Sequence, residues 1–359
     1  MSGTAADSAR CANVIGLGLI GGSIAFALRQ RGWIVNGEDA DVDVAARAHA
    51  MGAIDEIGCS RSAEITFVAT PVGSVAREVG RALEETDGLV TDVGSVKADL
   101  CARVTSPRFI GGHPMAGSEL DGLDGADPEM FEGAVWVLTP DSDVPDETFA
   151  TVASVIAALG AEVVALPPVD HDRLVAVVSH VPHLTAASLM ALATERSEEH
   201  ASLLRLAAGG FRDMTRIASG RPGIWIDICR ANGRAIVDAL DEMITSLAEI
   251  RRMVVDDDHV ALLQLLSSSR EARVNLPGRV TDPTSLAEVR IRIPDRSGAA
   301  AEVFTLAAEL GVNIANFEVV HLAEGARGVA VVLVDRSAVE VFRGGLIARG
   351  FRPTVSALS

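Results

Sequence analysis

Three glycines, Gly16, Gly18 and Gly21, stand where a short apolar run ends and a helical pattern begins, and no other feature narrows the fold of this chain so far. The apolar run is Ala12–Gly16, and Ile20–Gln30 repeats its apolar residues at helical spacing. A Gly-x-Gly-x-x-Gly turn between strand and helix lets the backbone approach a pyrophosphate closely, and the helix N-terminus then meets its charge. Asp39 closes the next apolar run, 18 residues beyond Gly21, where its carboxylate can accept hydrogen bonds from an adenosine ribose. A carboxylate there, with Glu38 beside it, repels a 2′-phosphate, so NAD is expected rather than NADP.

From Cys11 to Leu166 short apolar runs alternate with amphipathic stretches. The expected strands are Ala12–Gly16, Trp33–Glu38, Ile65–Ala69, Leu89–Asp92, Phe109–Gly111, Val135–Thr139 and Glu162–Leu166. That alternation predicts an α/β class with an N-terminal doubly wound Rossmann domain over residues 11–166. After Pro167-Pro168 the strand signals stop, and Leu174–Ala193, Ala201–Ala207, Ile224–Met253 and Val260–Asn275 show helical spacing, which predicts an all-helical domain over residues 167–276. The apolar segment Ile224–Met253 is expected to pack against a partner subunit, making the protein a homodimer. Residues 277–285 read as a linker, and residues 286–359 give a βαββαβ order of about 75 residues, enough to fold independently. Residues 1–10 read as a disordered tail.

The chain has 359 residues, 48% of them hydrophobic, which suffices for several cores. A formal charge of -18 opposes binding to nucleic acid or anionic membranes. Cys11, Cys59, Cys101 and Cys229 form no Cys-x-x-Cys pair, so reduced thiols in a cytoplasm are expected, with no metal site. The first residues lack an apolar core, and no later run of 18 or more residues is free of charged or polar breaks, so neither export nor membrane spanning is expected.

His113 lies in Gly111-Gly112-His113-Pro114-Met115-Ala116-Gly117-Ser118-Glu119. Histidine accepts a proton most readily near neutral pH, and the dinucleotide fold presents this one to the cofactor. Proton removal coupled to hydride transfer is the chemistry that pairing suggests. An anionic substrate of so acidic a protein would need local positive charge.

Six spaced motifs carry a resemblance over residues 11–275. They are Gly16–Ser23, Ala69-Thr70-Pro71-Val72, Thr91-Asp92-Val93-Gly94-Ser95-Val96-Lys97, Gly112–Glu119, Ser179-His180-Val181-Pro182-His183 and Asp213-Met214-Thr215-Arg216, in the order seen in the prephenate dehydrogenase family. The segment from Leu286 resembles an ACT regulatory domain, with turns at Asp295-Arg296-Ser297-Gly298 and Gly311-Val312-Asn313-Ile314, although Ser297 stands where proline is frequent. The first resemblance implies that NAD takes hydride from C4 of prephenate while the hydroxyl loses its proton and CO2 leaves, giving 4-hydroxyphenylpyruvate in tyrosine biosynthesis. Arogenate, with an amino group in place of the keto group, is left open.

The resemblance further implies that His113 accepts the proton and that Ser95 holds the hydroxyl. Arg216, Glu119 and Asp213 would form an ionic network at the site entrance, Asp213 reaching across from the other subunit. His183, Ser179 and Trp225 are matched to substrate contacts and His171 to the gate, while His180 is read as packed. Gly16, Gly18, Leu19, Ile20, Gly21, Asp39, Thr70 and Pro71 are the candidate cofactor contacts. Pro182 is expected to bend its helix, and Lys97 is left structural. A functional ACT domain would bind a small amino acid, tyrosine, and act allosterically on the cleft.

Two other classes compete. A 3-hydroxyacid dehydrogenase would place a lysine on the first long helix of the second domain, and no lysine follows Lys97. A non-catalytic ligand sensor would have no use for Ser95, His113 and Arg216 together.

Overall fold

The computed structural model describes residues 10–117, 120–199, 203–275, 286–294, 298–321 and 327–357. Glu119, the linker 277–285, the turn residues Asp295–Ser297 and all of the expected tail but Arg10 lie outside the described residues. Arg10 is held, pairing with Glu64 at 3.0 Å and lying 4.0 Å over the Trp33 ring.

The first compact unit, residues 1–265, opens with β1 (Cys11–Ile15), α1 (Leu19–Gln30), β2 (Ile34–Glu38), α2 (Val42–Ala50), β3 (Glu56–Ile57), β4 (Ile65–Val68), α3 (Val72–Glu85), β5 (Leu89–Asp92) and α4 (Ala98–Arg103). It continues through β6 (Phe109–Pro114), β7 (Val135–Thr139), α5 (Asp146–Ala158) and β8 (Glu162–Ala165). The eight strands form one sheet in the order β3-β2-β1-β4-β5-β6-β7-β8, parallel throughout except where β6 meets β7. Strands such as β4 are buried at every position, as a sheet covered on both faces requires. One face packs Ile24 and Leu28 of α1, Ala45 and Ala48 of α2 and Val152, Val155 and Ile156 of α5; the other packs Val75, Val79 and Ala82 of α3 with Leu100 of α4. Trp136 and Phe67 are fully buried in the first layer, with ring centroids 6.3 Å apart, and burial of each such ring stabilises the sheet by about 1.5–3 kcal/mol.

Strand order reverses between β1 and β4, so the loops that follow those two strands flank the crevice where doubly wound sheets bind ligands. Both loops carry candidate cofactor residues: Gly16–Gly21 after β1, and Thr70-Pro71 after β4.

Helices follow. α6 (Pro168–Val175) runs through a π turn at Ala176–His180 into α7 (Val181–Glu199), after which come α8 (Gly209–Thr215), α9 (Pro222–Ala231), α10 (Gly233–Val255) and α11 (His259–Val274). Pro182 lacks the N–H that would bond Val178, and the wider π turn just before it accommodates that loss. The single helix expected over Ile224–Met253 is two, because the helix breaks at Asn232-Gly233. Among the described residues, the helical run Pro168–Arg196 alone is long and apolar enough to cross a membrane by length and composition. The run still carries the charged and polar breaks read from the sequence, among them residues 170–173, Ser179, His180 and His183, and it buries His171, Asp172 and His180.

The second unit contains β9 (Leu286–Pro294), α12 (Ala299–Glu309), β10 (Ile314–His321), β11 (Arg327–Asp335), α13 (Val339–Ala348) and β12 (Pro353–Ala357). Its order is βαββαβ, and its four antiparallel strands are arranged β10-β11-β9-β12. Val289, Ile291, Val303, Leu306, Val332 and Phe342 form a core of its own.

Candidate active site

The cofactor crevice is built by what its glycines leave out. Gly16 sits at φ 92° with Ala69 O only 2.6 Å from where a Cβ would be, and a Cβ on Gly21 would fall 1.8 Å from Gly16 O. Neither position admits a side chain. A Cβ on Gly18 would meet nothing within 4 Å, so the open side of the turn lies there, as approach of a pyrophosphate requires. Thr70 Oγ1 is buried without a hydrogen-bond partner at the mouth of β4, an unmet polar group that a ligand amide or hydroxyl would satisfy. Asp39 accepts Leu17 N–H at 2.7 Å and Asp41 N–H at 2.9 Å, one on each oxygen, which fixes its carboxylate and leaves further lone pairs for two ribose hydroxyls. These features fit a dinucleotide. Glu38 is paired with Arg81, so discrimination against a 2′-phosphate falls on Asp39 more than on the two carboxylates together.

His113 lies half-buried on β6, at the carboxyl edge of the sheet. Its Nδ1 is 2.8 Å from Nε2 of His171, and His171 Nδ1 is 2.8 Å from Asp172 Oδ1. The Asp172 carboxylate also accepts Lys97 N–H at 2.8 Å and Ala98 N–H at 2.9 Å. A carboxylate accepts and does not donate, so His171 carries its hydrogen on Nδ1 and offers Nε2 as an acceptor. His113 Nδ1–H then donates to it, and His113 Nε2 is left as a lone pair. Burial, and after it the ammonium of Lys97 together with unfavourable coupling to the neighbouring His171 and His180 rings, holds His113 well below the ordinary imidazole range. A neutral imidazole with its free nitrogen on Nε2 is a base ready to take a proton.

Helical residues pack behind Asp172 and beside His180. Asn232 donates to Asp172 O at 2.8 Å and faces His180 Nδ1 at 3.3 Å, and burial pushes His180 down to about 4. His183 stacks on Trp225 with centroids 3.5 Å apart and planes 10° from parallel. A side chain at Gly220 would meet His183 Cε1 at 3.2 Å and Trp225 Nε1 at 3.3 Å, so the backbone just after Arg216 runs against this stack.

The structure thus joins His113 to His171 and His183 to Trp225. Ser95 lies half-buried between β5 and α4, two residues before Lys97, and Ser179 half-buried in the π turn. Arg216 and Asp213 stand exposed at the end of α8. His171, expected at the gate, is fully buried with its Nε2 against His113. Asp172 and Asn232 had no role in the sequence reading. An Asn-Gly pair inside a helical pattern was the signal for the second; none marked the first.

Residues 24–165 match the family described as "Prephenate dehydrogenase, nucleotide-binding domain", and residues 167–268 match "Prephenate dehydrogenase, dimerization domain". Prephenate dehydrogenase of Bacillus subtilis is 33% identical over 330 residues, which cover 88% of this chain and 89% of that one. The crystal structure of Aquifex aeolicus prephenate dehydrogenase in complex with hydroxyphenyl propionate and NAD+ is similar with a TM-score of 0.71 and 29% identity, covering 76% of this chain and all (100%) of that one. Synechocystis arogenate dehydrogenase is similar with a TM-score of 0.64 and 31% identity, over 73% of this chain and 98% of that one.

Proposed function

The chain belongs to the prephenate dehydrogenase family, and on that premise we propose how its own residues divide the reaction. The enzyme is an NAD-dependent oxidoreductase that converts prephenate to 4-hydroxyphenylpyruvate by oxidative decarboxylation. NAD, when bound, accepts the hydride from C4. His113 Nε2 takes the proton of the C4 hydroxyl, and Ser95 orients that hydroxyl. Departure of CO2 leaves its bonding pair to the ring, which becomes an aromatic phenolate. Charge balance then returns the proton from His113 to the phenolate oxygen, so His113 acts first as base and then as acid. The observation that carries this reading is the His113–His171–Asp172 chain, because it leaves His113 Nε2 unprotonated.

Arg216 is assigned to a substrate carboxylate, with Glu119 and the partner-derived Asp213 as its ionic neighbours, and His183, Ser179 and Trp225 to the pocket wall. Gly16, Gly18, Leu19, Ile20, Gly21, Asp39, Thr70 and Pro71 are assigned to NAD. The unpaired cysteines support a cytoplasmic location. A homodimer is supported by the match to the dimerization domain and by exposed apolar residues on α9 and α10, among them Ile226, Ile244 and Leu247. The βαββαβ order of the second unit supports an ACT-like domain that takes tyrosine as effector. Arogenate is a second reading, favoured by the similarity to the Synechocystis enzyme.

The test is formation of reduced cofactor with prephenate and with arogenate, each with NAD and NADP, before and after His113→Asn. The expected result is NAD preference and a fall in kcat on the order of 10²- to 10⁴-fold with little change in KM. Full activity in the variant would move the base elsewhere.

A further inference from the structure

Lys97 is the only lysine among the 31 lysine and arginine residues of the chain, and it is fully buried. A protein that meets every other need for a basic side chain with arginine keeps a lysine here, and the surroundings give a reason. Lys97 Nζ pairs with Asp92 Oδ2 and donates to Gly112 O at 2.8 Å. These are acceptors for a compact ammonium, whereas a guanidinium would bring five N–H donors in a rigid fork into the same space. The stem passes so close to β6 that a Cβ on Gly111 would lie 3.3 Å from Lys97 Cδ.

Both members of the ion pair grip the same residue. Asp92 Oδ1 accepts Gly112 N–H at 3.1 Å, while Lys97 holds the Gly112 carbonyl, which is the acyl half of the peptide bond to His113. A side chain at Gly112 would strike Asp92 O at 2.6 Å, so the strand cannot withdraw from this clamp by bulk substitution. Lys97 also donates its backbone N–H to Asp172, the carboxylate on which His171 rests. One residue therefore reaches the strand that carries His113 and the helix that carries the imidazole behind it.

Stability alone is a poor explanation for such a pair, because the desolvation of two buried charges offsets most of their attraction. Building on the assignment of His113 as base, we propose that the Lys97 side chain is a positioning group of the dehydrogenase reaction: with Asp92 it fixes the Gly112–His113 peptide, while the backbone N–H of the same residue, which substitution leaves in place, holds Asp172. Its charge acts in the same direction as its geometry. Burial first, and then the ammonium of Lys97 together with unfavourable coupling to the neighbouring His171 and His180 rings, disfavours imidazolium at His113. The titratable groups around that ring are His171 and Asp172 from α6, His180 from the π turn, Lys97 from the β5–α4 connection and Asp92 at the end of β5.

Full-length Lys97→Gln and the double variant Asp92→Asn/Lys97→Gln test this beside the parent and His113→Asn. Glutamine keeps a donor for Gly112 O but removes the charge, and the double variant leaves no stranded carboxylate should the single one fold poorly. NAD binding, followed by fluorescence, reports folding without using His113. The expected result for Lys97→Gln is a fall in kcat of roughly 10- to 100-fold with KM for prephenate and NAD affinity within about threefold of the parent. The acid limb of kcat/KM should move to higher pH, since loss of a nearby cation favours protonation of His113. The double variant should lose kcat to a similar degree. An NAD-binding variant of either kind with unchanged kcat and an unmoved acid limb, or with its loss confined to KM, overturns the proposal. Full activity in His113→Asn would instead overturn the assignment on which it rests.

Discussion

His113 can take a proton on Nε2 only while Nδ1 keeps its hydrogen, and the residue that enforces this is two imidazoles away. Asp172 accepts from His171, which makes His171 Nε2 an acceptor, which in turn keeps the hydrogen on His113 Nδ1. Asparagine at position 172 can donate to His171 Nδ1 and so reverse the direction of the chain. Asp172→Asn is therefore expected to lower kcat on the order of 10²- to 10⁴-fold, the range in which a wrong histidine tautomer disables other bases. Steady-state kinetics at saturating NAD, with a thermal melt to confirm folding, check it. Activity near that of the parent would show that the tautomer does not depend on Asp172. The depressed protonation of His113 fixes the sign of the pH effect as well: with His113 as the proposed base the neutral ring is the active form, so the acid limb should lie below the ordinary imidazole value.

At the scale of elements, the π turn and the break at Asn232 act together. The turn brings His180 inward, the break turns Asn232 toward it, and the Asn232 amide donates to Asp172 O while facing His180 Nδ1. Protonated His180 would set a donor against that amide. Its folded-state value is lowered to about 4, so the stability it contributes is complete above about pH 6.5 and is lost as pH falls toward 4. Urea midpoints measured at pH 7 and pH 5 should drop for the parent, and His180→Gln, whose carbonyl accepts from Asn232 without titrating, should drop less. Equal drops would remove His180 from the acid sensitivity. Seven of the eight strands of the large sheet were legible because each is a short apolar run between turn residues, whereas β3, two exposed residues, carries no such run; the crevice was legible too, because Gly16, Gly21 and Asp39 act within one βαβ unit. His171 was not legible as a contact of His113, for a physical reason. Its partner is 58 residues away on β6, and no local pattern reports which face of a helix meets which strand. Lys97 was visible as a motif, but its reach to Gly112 and Asp172 follows only from the packing of three elements.

At the scale of the molecule, the cores do the dividing. The nucleotide-binding and helical segments share one unit because Val96, Ala176, Ile228 and Ile236 pack together and Asp172 bonds the start of α4. The second unit closes its own core around Val289, Ile291, Val332 and Phe342. Separate cores permit separate removal. A chain ending after Asn275 should therefore keep NAD-dependent turnover of prephenate within about threefold, since no residue assigned to chemistry is lost and surface changes are typically small. It should also sediment as the full chain does, because the apolar residues Ile226, Ile244 and Leu247 remain on α9 and α10. With the second unit as the proposed effector domain, any inhibition of the full chain by tyrosine should disappear, because a ligand shifts a conformational equilibrium only through the site that distinguishes the two states. The three readouts separate the possibilities: turnover tests the independence of the first unit, sedimentation tests the dimer, and tyrosine tests the effector. Unchanged tyrosine inhibition in the shortened chain would place the amino acid in the cleft with His113 and His183 and leave the βαββαβ unit without a regulatory role.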